Sequence, residues 1–367
     1  MFTSPSKARL DANIALSLDD SFFLSRPFGY FSSRISSLLG SHPPDDAESG
    51  QIGREFASLL GQGTHRDLLS FNESDRELQV AIDAFALRHH AAESLVRLYH
   101  SLTVGTAAQG PVKCVWAAIA EGPTKTVDLV REAKEFLRSP TGHDTFWRVV
   151  FPEEVAAHPE MQRKADQALN VLGDWLTHAM SLLVRGDINI NAAHNKLKHG
   201  LAVRARDDVL ATVTTQAPTP DGGVPLSSLT GEDAANILEG VTVEYLARPP
   251  REDQRKQGLE VTVLNLRPAT LLAETWLMAT AHAAIFHVAA ARHFDEREAD
   301  IQPFPTLPLG PTPEGLLGES VVGIRYPVTT PPDGGPIDRR PGIAFQTSFA
   351  HVEVPDEGPV PGVVVEG

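Results

Sequence analysis

The chain has 367 residues, a hydrophobic fraction of 42% and a formal net charge of -15 at pH 7. This apolar content excludes a globally disordered chain, and the length suggests roughly one to three domains. The negative charge argues against broad, non-specific attraction to nucleic acid or to an anionic membrane surface, although a local basic patch can still hold a phosphate chain.

The sequence contains one cysteine, Cys114, and no apolar run near its first residues. A single thiol forms neither an internal disulfide nor a cysteine-based zinc site. Its neighbours Val112, Val115 and Trp116 are apolar, so we expect an inert buried thiol rather than a nucleophile. Because residues 1–13 lack the design of a signal peptide, we expect a cytoplasmic location.

Helices are predicted where apolar residues recur near every 3.6 positions and where capping or helix-ending residues flank them. The segment 73–102 carries the clearest stripe, since no Pro or Gly interrupts its apolar positions. In chain order, the pattern predicts two short helices within 1–40 and longer ones at about 73–102, 124–137, 159–183, 189–199 and 268–293.

After Gly200 the pattern changes to alternating and β-branched residues, which favour strands. Strands are predicted at 201–206, 209–215, 241–246 and 259–264, with edge strands at 321–326 and 343–349. Thirteen of the 28 prolines lie between Pro303 and Pro361. We therefore predict a mainly α fold. Residues 1–300 form a helical bundle with a small antiparallel β insertion at about 201–266, and residues 301–367 form a proline-rich C-terminal arm that is partly disordered.

The apolar segment 269–291 is long enough to cross a bilayer. It also carries Glu274, His282 and His287, which would be costly in lipid. We therefore expect a buried core helix and no membrane partner.

The familiar cofactor and metal motifs are absent from the sequence. There is no phosphate loop ending in Gly-Lys-Ser/Thr, no Gly-x-Ser-x-Gly elbow, no His-Glu-x-x-His pair and no calcium loop. We expect no cofactor and no metal site.

The first polar group lies on the predicted helix 73–102. It consists of His89, His90, Glu93, Arg97 and His100, in which Glu93 and Arg97 are one helical turn apart. One interpretation is a polar site that holds a metal or acts as a general base. The favoured interpretation is a helix surface with one ion pair and solvated histidines, because such pairs are common on helices.

The second polar group lies on the apolar helix and consists of His282, His287 and His293. In one interpretation these histidines are ligands or form a proton relay with Glu274. In the other they are core side chains hydrogen-bonded to their neighbours. The core interpretation is favoured because buried polar groups are normally paired.

The third polar group is a basic segment near the middle of the acidic chain. RNA cleavage without a metal needs a base for the 2′-hydroxyl proton and positive groups that stabilise the charge developing on the phosphate. Histidines beside lysines and arginines supply both. The candidate catalytic residues are His199, Asn195 and His194, and the candidate nucleic-acid-binding residues are Lys196, Lys198, Arg204 and Arg206.

This segment resembles the HEPN superfamily of helical bundles, over roughly residues 73–200. A late helix of that superfamily carries Arg, a polar residue that is often Asn, and His four to six positions after the Arg. Here His194 stands in the place of the Arg, and Asn195 and His199 match the other two positions. The resemblance implies a bundle of four or five helices, often dimeric, and in active members metal-independent RNA cleavage.

Two functions follow from these patterns. The first is a non-catalytic interaction or scaffold protein that uses the bundle and the proline-rich arm to hold a partner. It ranks higher because histidine does not reproduce the bidentate phosphate contact of the missing Arg. The alternative is a HEPN-like RNA-binding protein or metal-independent ribonuclease of a toxin or defence system. The expected partners are RNA or a protein, with a homodimer as a further expectation. The sequence assigns no enzyme class.

Overall fold

The computed structural model describes residues 10–40, 58–59, 73–156, 158–185, 190–198, 203–214, 216, 219, 225–230, 234–247, 259–295, 297–318, 321–327, 344–347, 351–353 and 364–366. These residues form a mainly helical fold with an antiparallel sheet, so the predicted fold class is confirmed at this level.

The predicted helices are all present, and their bounds shift by a few residues. Several begin with a proline in the first turn, where its missing N–H costs no hydrogen bond. Short helices that the sequence pattern did not predict lie between them. In chain order the helices are α1 (Ala12–Phe23), α2 (Pro27–Leu39), α3 (Glu73–His100), α4 (Val115–Glu121), α5 (Thr126–Leu137), α6 (Gly142–Val150), α7 (Glu153–Ala156), α8 (Pro159–Val184), α9 (Ile190–Lys198), α10 (Pro268–Phe294) and α11 (Pro313–Leu317).

The centre of the fold is the contact between α3 and α10, with α8 packed against both helices. Small side chains let the two backbones approach closely: Ala84 and Ala91 on α3 and Ala279 and Ala283 on α10 are fully buried. Larger side chains fill the space around them, among which Trp175 of α8 is completely buried. This packing makes α10 the central helix.

Helix α10 is the one helix within the described ranges that is long and apolar enough to cross a membrane. In the fold, 78% of its most apolar window is buried. Its burial extends around the helix, as expected for a core helix surrounded by other elements. The predicted core position of this segment therefore agrees with the structure.

A carboxylate lies inside this core. The Glu274 side chain is 2% exposed; Arg88 Nη1 of α3 lies 3.2 Å from its Oε1, and His178 Nε2 of α8 lies 2.9 Å from its Oε2. Burial alone would raise the pKa of Glu274, but the charge of Arg88 and the hydrogen bond from His178 outweigh it and lower the pKa. The core therefore holds an ionised glutamate that connects three helices.

The cysteine is buried, as predicted. The Cys114 Sγ donates to Asp19 Oδ1 at 3.2 Å, and burial raises the pKa of the thiol. The same carboxylate accepts the backbone N–H groups of Val115 and Trp116 at 2.9 Å each. Asp19 of α1 therefore caps the first turn of α4, and the thiol belongs to this cap.

The strands form a sheet in which each neighbouring pair is antiparallel, in the order β6-β5-β4-β3-β2-β1-β7. Val243 and Leu264 lie on the face that packs against the helices, whereas Leu238 and Val263 belong to a second apolar cluster. The strands are β1 (Arg204–Thr214), β2 (Ala234–Ala247), β3 (Glu260–Asn265), β4 (Val321–Pro327), β5 (Ala344–Thr347), β6 (His351–Glu353) and β7 (Val364–Glu366).

The separate strands predicted at 201–206 and 209–215 are one strand, β1, with a register shift between Arg206 and Val209. Across this step β1 advances from 206 to 209, whereas its partner β2 advances only from 242 to 240. Gly240 lies at this register shift and has a positive φ of 79°, which glycine adopts without steric cost. The two halves of the strand are therefore joined by a bulge, while residues 201 and 202 lie outside the described residues.

The sheet also extends beyond the predicted insertion at 201–266, because β4 and β5 pair with it as the edge-strand prediction proposed. The proline-rich residues 301–318 lie against the helices. Trp175 Nε1 donates to the carbonyl of Pro311 at 2.9 Å, and Gln167 Nε2 donates to that of Leu309 at 2.9 Å. The division into domains 1–300 and 301–367 stays a prediction.

Replacement of Glu274 by Gln removes the charge opposite Arg88 but keeps the size of the side chain. We expect the free energy of unfolding to fall by about 3 kcal/mol, because a buried guanidinium loses its counter-charge. In the Arg88→Met/Glu274→Met double variant both charges are removed. Its loss of unfolding free energy should therefore be smaller than the summed losses of the single variants Arg88→Met and Glu274→Met. Chemical denaturation measures each value.

The exposed Glu121→Gln variant serves as the control and should retain the parent stability. A Glu274→Gln variant as stable as Glu121→Gln would show that the buried pair does not hold the core.

Candidate functional site

A cleft of about 500 Å³ lies between α2, α3 and α9. Tyr30 and Arg34 face it from α2, one helical turn apart. The residues that α3 contributes repeat at intervals of three and four, which places them on one face of that helix. They are Asp83, Ala86, Leu87, His90, Glu93, Ser94 and Arg97.

His194 of α9 closes the cleft from the third side. Ile190, Ala193 and Leu197 are buried and fix the orientation of this short helix, which leaves His194 half-buried. Its ring stacks on that of His89, with the ring centroids 4.1 Å apart and the planes 23° from parallel. The cleft therefore brings together the first and third polar groups of the sequence.

The histidines of α3 at this site are neutral near pH 7. Burial, with the nearby His194 and Arg88, lowers the pKa of His89 to about 3. Burial also lowers the pKa of His90, against an opposing effect of Glu93. These rings therefore supply neutral polar edges and aromatic faces rather than positive charge.

The charged side chains of the cleft are of both signs. Arg97 Nε donates to Glu93 Oε1 at 2.7 Å, and its Nη1 lies 3.5 Å from the carbonyl oxygen of Pro123. Arg34 is exposed and makes no ion pair within the described ranges, and Asp83 adds a carboxylate. An anionic ligand would meet Arg34 first, because Arg97 already has a partner.

The candidate catalytic residues are only partly brought together. His194 lines the cleft, whereas Asn195 is exposed and is not among the residues lining it. His199 lies outside the described residues, and Lys198 ends α9 with a side chain that is also outside them. Lys196 is half-buried. Of the two predicted catalytic side chains that the structure describes, His194 lines the cleft and Asn195 does not.

The candidate basic residues of β1 have a different environment. Arg206 holds Asp208 through Nε and Nη2 at 2.7 and 2.8 Å and lies 3.8 Å from Glu244. This pair lies at the register shift of β1 between Arg206 and Val209. A phosphate would have to displace Asp208 from Arg206, whereas Arg204 is exposed.

The prediction of a solvated helix surface at residues 89–100 is wrong for two residues. His89 and His100 are buried, and His100 Nε2 lies 2.9 Å from Glu132 Oε2. The ion pair between Glu93 and Arg97 is present as predicted. The helix is therefore covered on more sides than its polar sequence suggested.

The histidines of α10 are core or interface side chains. His287 Nδ1 lies 2.7 Å from the carbonyl oxygen of Gln302, and His293 Nε2 lies 2.6 Å from Asp20 Oδ1. His282 is buried, and its Nδ1 has no hydrogen-bond partner among the residues that the structure describes. Glu274 pairs with Arg88 and His178, so the relay with the α10 histidines does not form.

The sequence interpretation missed Tyr30, Arg34 and His178. The i, i+4 spacing of Tyr30 and Arg34 was visible, but no pattern indicated that α2 packs beside α3. The interpretation of the segment 159–183 considered only its apolar stripe, to which His178 does not belong. Within the described part of the chain, no three His, Cys, Asp or Glu side chains converge as metal ligands.

Protonation of buried His282 should make stability depend on pH. Burial lowers its pKa from 6.5 to about 4, so between these values the unfolded chain binds a proton that the folded chain does not. Stability therefore falls as the pH drops. Between pH 6.5 and 5, His282 should lower the free energy of unfolding by about 2 kcal/mol.

The His282→Leu variant should show a pH dependence of unfolding that is smaller by this amount, measured by denaturation at several pH values. His143→Leu, at an exposed position, is the control and should follow the parent curve. Identical slopes for parent and His282→Leu would contradict the prediction.

Comparison with known proteins adds no further identification: no family model matches the chain, and neither a curated protein nor a solved structure shows significant similarity. The resemblance to the HEPN superfamily therefore depends on the segment His194–His199 and the order of the helices alone.

Proposed function

We propose that this chain is a non-catalytic binding protein and that the cleft between α2, α3 and α9 binds single-stranded RNA. The observation that carries the proposal is the pairing of an exposed aromatic ring, Tyr30, with the exposed cation Arg34 at the rim of a cleft that also contains His194. Proteins that hold single strands combine these two elements, because bases stack on aromatic faces and phosphates bind cations.

Tyr30 is well placed for stacking. Its side chain is 48% exposed, and it meets the rings of Phe31 and His90 edge to face, with centroids 5.3 and 5.5 Å away. These contacts hold the ring in place, so a base that stacks on it loses little further side-chain freedom to the protein. Arg34, one turn further along α2, then meets the adjoining phosphate.

Binding without catalysis is supported by the state of the polar groups. Chemistry on RNA needs a base near a cation that is free to stabilise the phosphate. In the cleft, Arg97 is paired with Glu93 and His89 is buried and stacked, so these two side chains do not supply that combination, and Arg34 is left to bind the phosphate. The proposal retains the helical bundle and the dimer expected from the resemblance, and His199, Asn195, Lys196, Lys198 and Arg204 are candidates to extend the RNA surface.

The second candidate is a scaffold that holds a peptide segment of a protein partner. It is favoured by one specific observation: Asp83 and Glu93 line the same cleft as Arg34 and Arg97. Charges of both signs suit a peptide with basic and acidic side chains better than a polyanion. The response to salt separates these two candidates.

Binding of a fluorescently labelled, short single-stranded RNA is measured by anisotropy at several salt concentrations. Arg34→Gln should weaken binding and reduce the slope of log affinity against log salt by about 0.7, the value for one lost phosphate contact on a single strand. Tyr30→Ala should weaken binding about tenfold through lost stacking and leave the slope unchanged.

Arg163→Gln is the matched control, because Arg163 is an exposed arginine of α8 that does not line the cleft. It should bind RNA as the parent does. Equal affinity of the parent, Arg34→Gln and Tyr30→Ala for RNA, or no binding by the parent, would reject RNA as the ligand of this cleft and leave the peptide scaffold.

Incubation of the parent protein with mixed RNA in the absence of metal tests the non-catalytic part. We expect the RNA to remain intact on an electrophoretic gel. Cleavage by the parent that disappears in His199→Ala would replace this proposal with the HEPN-like ribonuclease.

A further inference from the structure

A carboxylate lies beside the exposed ring of Tyr30, and neither stacking on Tyr30 nor the phosphate contact of Arg34 uses it. The Tyr30 ring lies 5.5 Å from the ring of His90. Glu93 follows His90 by three residues and lines the cleft from the same face of α3. Burial lowers the pKa of His90 and the charge of Glu93 opposes this effect, as expected for neighbouring side chains. A base stacked on Tyr30 therefore has the Glu93 carboxylate near one of its edges.

This carboxylate is held in place but is only partly used by the protein. Arg97 Nε donates to Glu93 Oε1 at 2.7 Å, which fixes the direction of the carboxylate. Oε2 accepts no hydrogen bond from the residues that the structure describes, and 35% of the Glu93 side chain is exposed. The two oxygens of a carboxylate together offer about four acceptor positions. The ion pair with Arg97 thus leaves both oxygens able to accept from a ligand.

The Watson–Crick edges of the four RNA bases differ in how they meet such an acceptor. Guanine presents two adjacent donors, N1–H and the N2 amino group, which match the two oxygens of one carboxylate. Adenine and cytosine each place an acceptor nitrogen beside their amino group, and uracil flanks its single N–H with two carbonyl oxygens. An acceptor that faces a carboxylate is repelled, so guanine fits this position best.

We propose, on the basis of the RNA function assigned to this cleft, that the cleft selects guanine at one position of the strand. The base stacks on Tyr30, and its N1–H and N2 amino groups donate to the two oxygens of Glu93. Arg97 positions this carboxylate, and Arg34 binds a neighbouring phosphate. Glu93 therefore determines specificity, whereas Tyr30 and Arg34 supply affinity for any single strand.

The test compares the affinities of the full chain for short, labelled oligouridines that differ at one central position, measured by fluorescence anisotropy. That position holds guanosine, inosine, adenosine or uridine, and inosine differs from guanosine only in lacking the N2 amino group. The parent should bind the guanosine strand about tenfold more tightly than the adenosine and uridine strands, the scale of a bidentate base contact. The inosine strand, which retains one of the two donors, should bind with an intermediate affinity.

Glu93→Gln should bind the four strands with nearly equal affinity, because an amide offers one acceptor and one donor in place of two acceptors. Its affinity for the uridine strand should not fall, since a negative charge has been removed from the cleft, and this measurement shows that the variant is folded. Asp83→Asn is the matched control, because Asp83 also lines the cleft but lies two helical turns before His90 on α3. It should retain the preference for guanosine.

Equal affinities of the parent for the guanosine and uridine strands would overturn the guanine selection and leave RNA binding in place. The absence of binding to every strand would reject the proposed function and the guanine selection together. A preference that persists in Glu93→Gln, or that disappears in Asp83→Asn, would overturn the role of Glu93.

Discussion

The fold depends on one buried negative charge. Glu274 lies in the first third of the central helix α10 and is buried there, so that an uncompensated carboxylate would cost several kcal/mol or would have to take up a proton. Arg88 of α3 and His178 of α8 both reach it, so three helices must meet at one level for the charge to be satisfied. Apolar packing alone tolerates sliding of helices past one another, whereas this pairing specifies their relative positions.

Two clefts of the structure each lie beside a residue of this pairing. His89 follows Arg88 on α3 and stacks on His194 at the cleft between α2, α3 and α9. His178, the second partner of Glu274, lines a second cleft, which lies beside α11. The first cleft combines arginines, carboxylates and an exposed tyrosine, and the second is lined by two carboxylates, one arginine and the imidazole of His178.

Local features of the fold were predictable because they depend on neighbouring residues. The stripes of α3 and α8, the apolar core helix α10 and the buried Cys114 follow from periodicity and composition. The strands at 241–246 and 259–264 were predicted from alternation, although β2 begins earlier, at Ala234. The bulge that joins both halves of β1 was not predicted, because it depends on the pairing of β1 with Gly240.

The clefts were harder to predict because their residues are distant in sequence. Tyr30 and Arg34 meet His194 only through the packing of α2 and α9 on α3. The sequence offered the histidines of the same helix as partners of Glu274 only in the less favoured interpretation, and it did not indicate the actual partners, which lie 186 and 96 residues away along the chain. His89 and His100 looked like surface residues, but neighbouring helices cover them. Tertiary contacts decided each of these positions, and no pattern within one helix contains that information.

The ionisation state of Glu274 tests most directly whether a buried charge pairing positions the three helices. Infrared difference spectra between the parent and Glu274→Gln isolate the absorption of this one carboxyl group. We expect a carboxylate band at neutral pH that persists at pH values where an ordinary glutamate is already protonated, because the Arg88 charge and the His178 hydrogen bond lower the pKa of Glu274. A protonated carboxyl band at neutral pH would contradict this charge pairing.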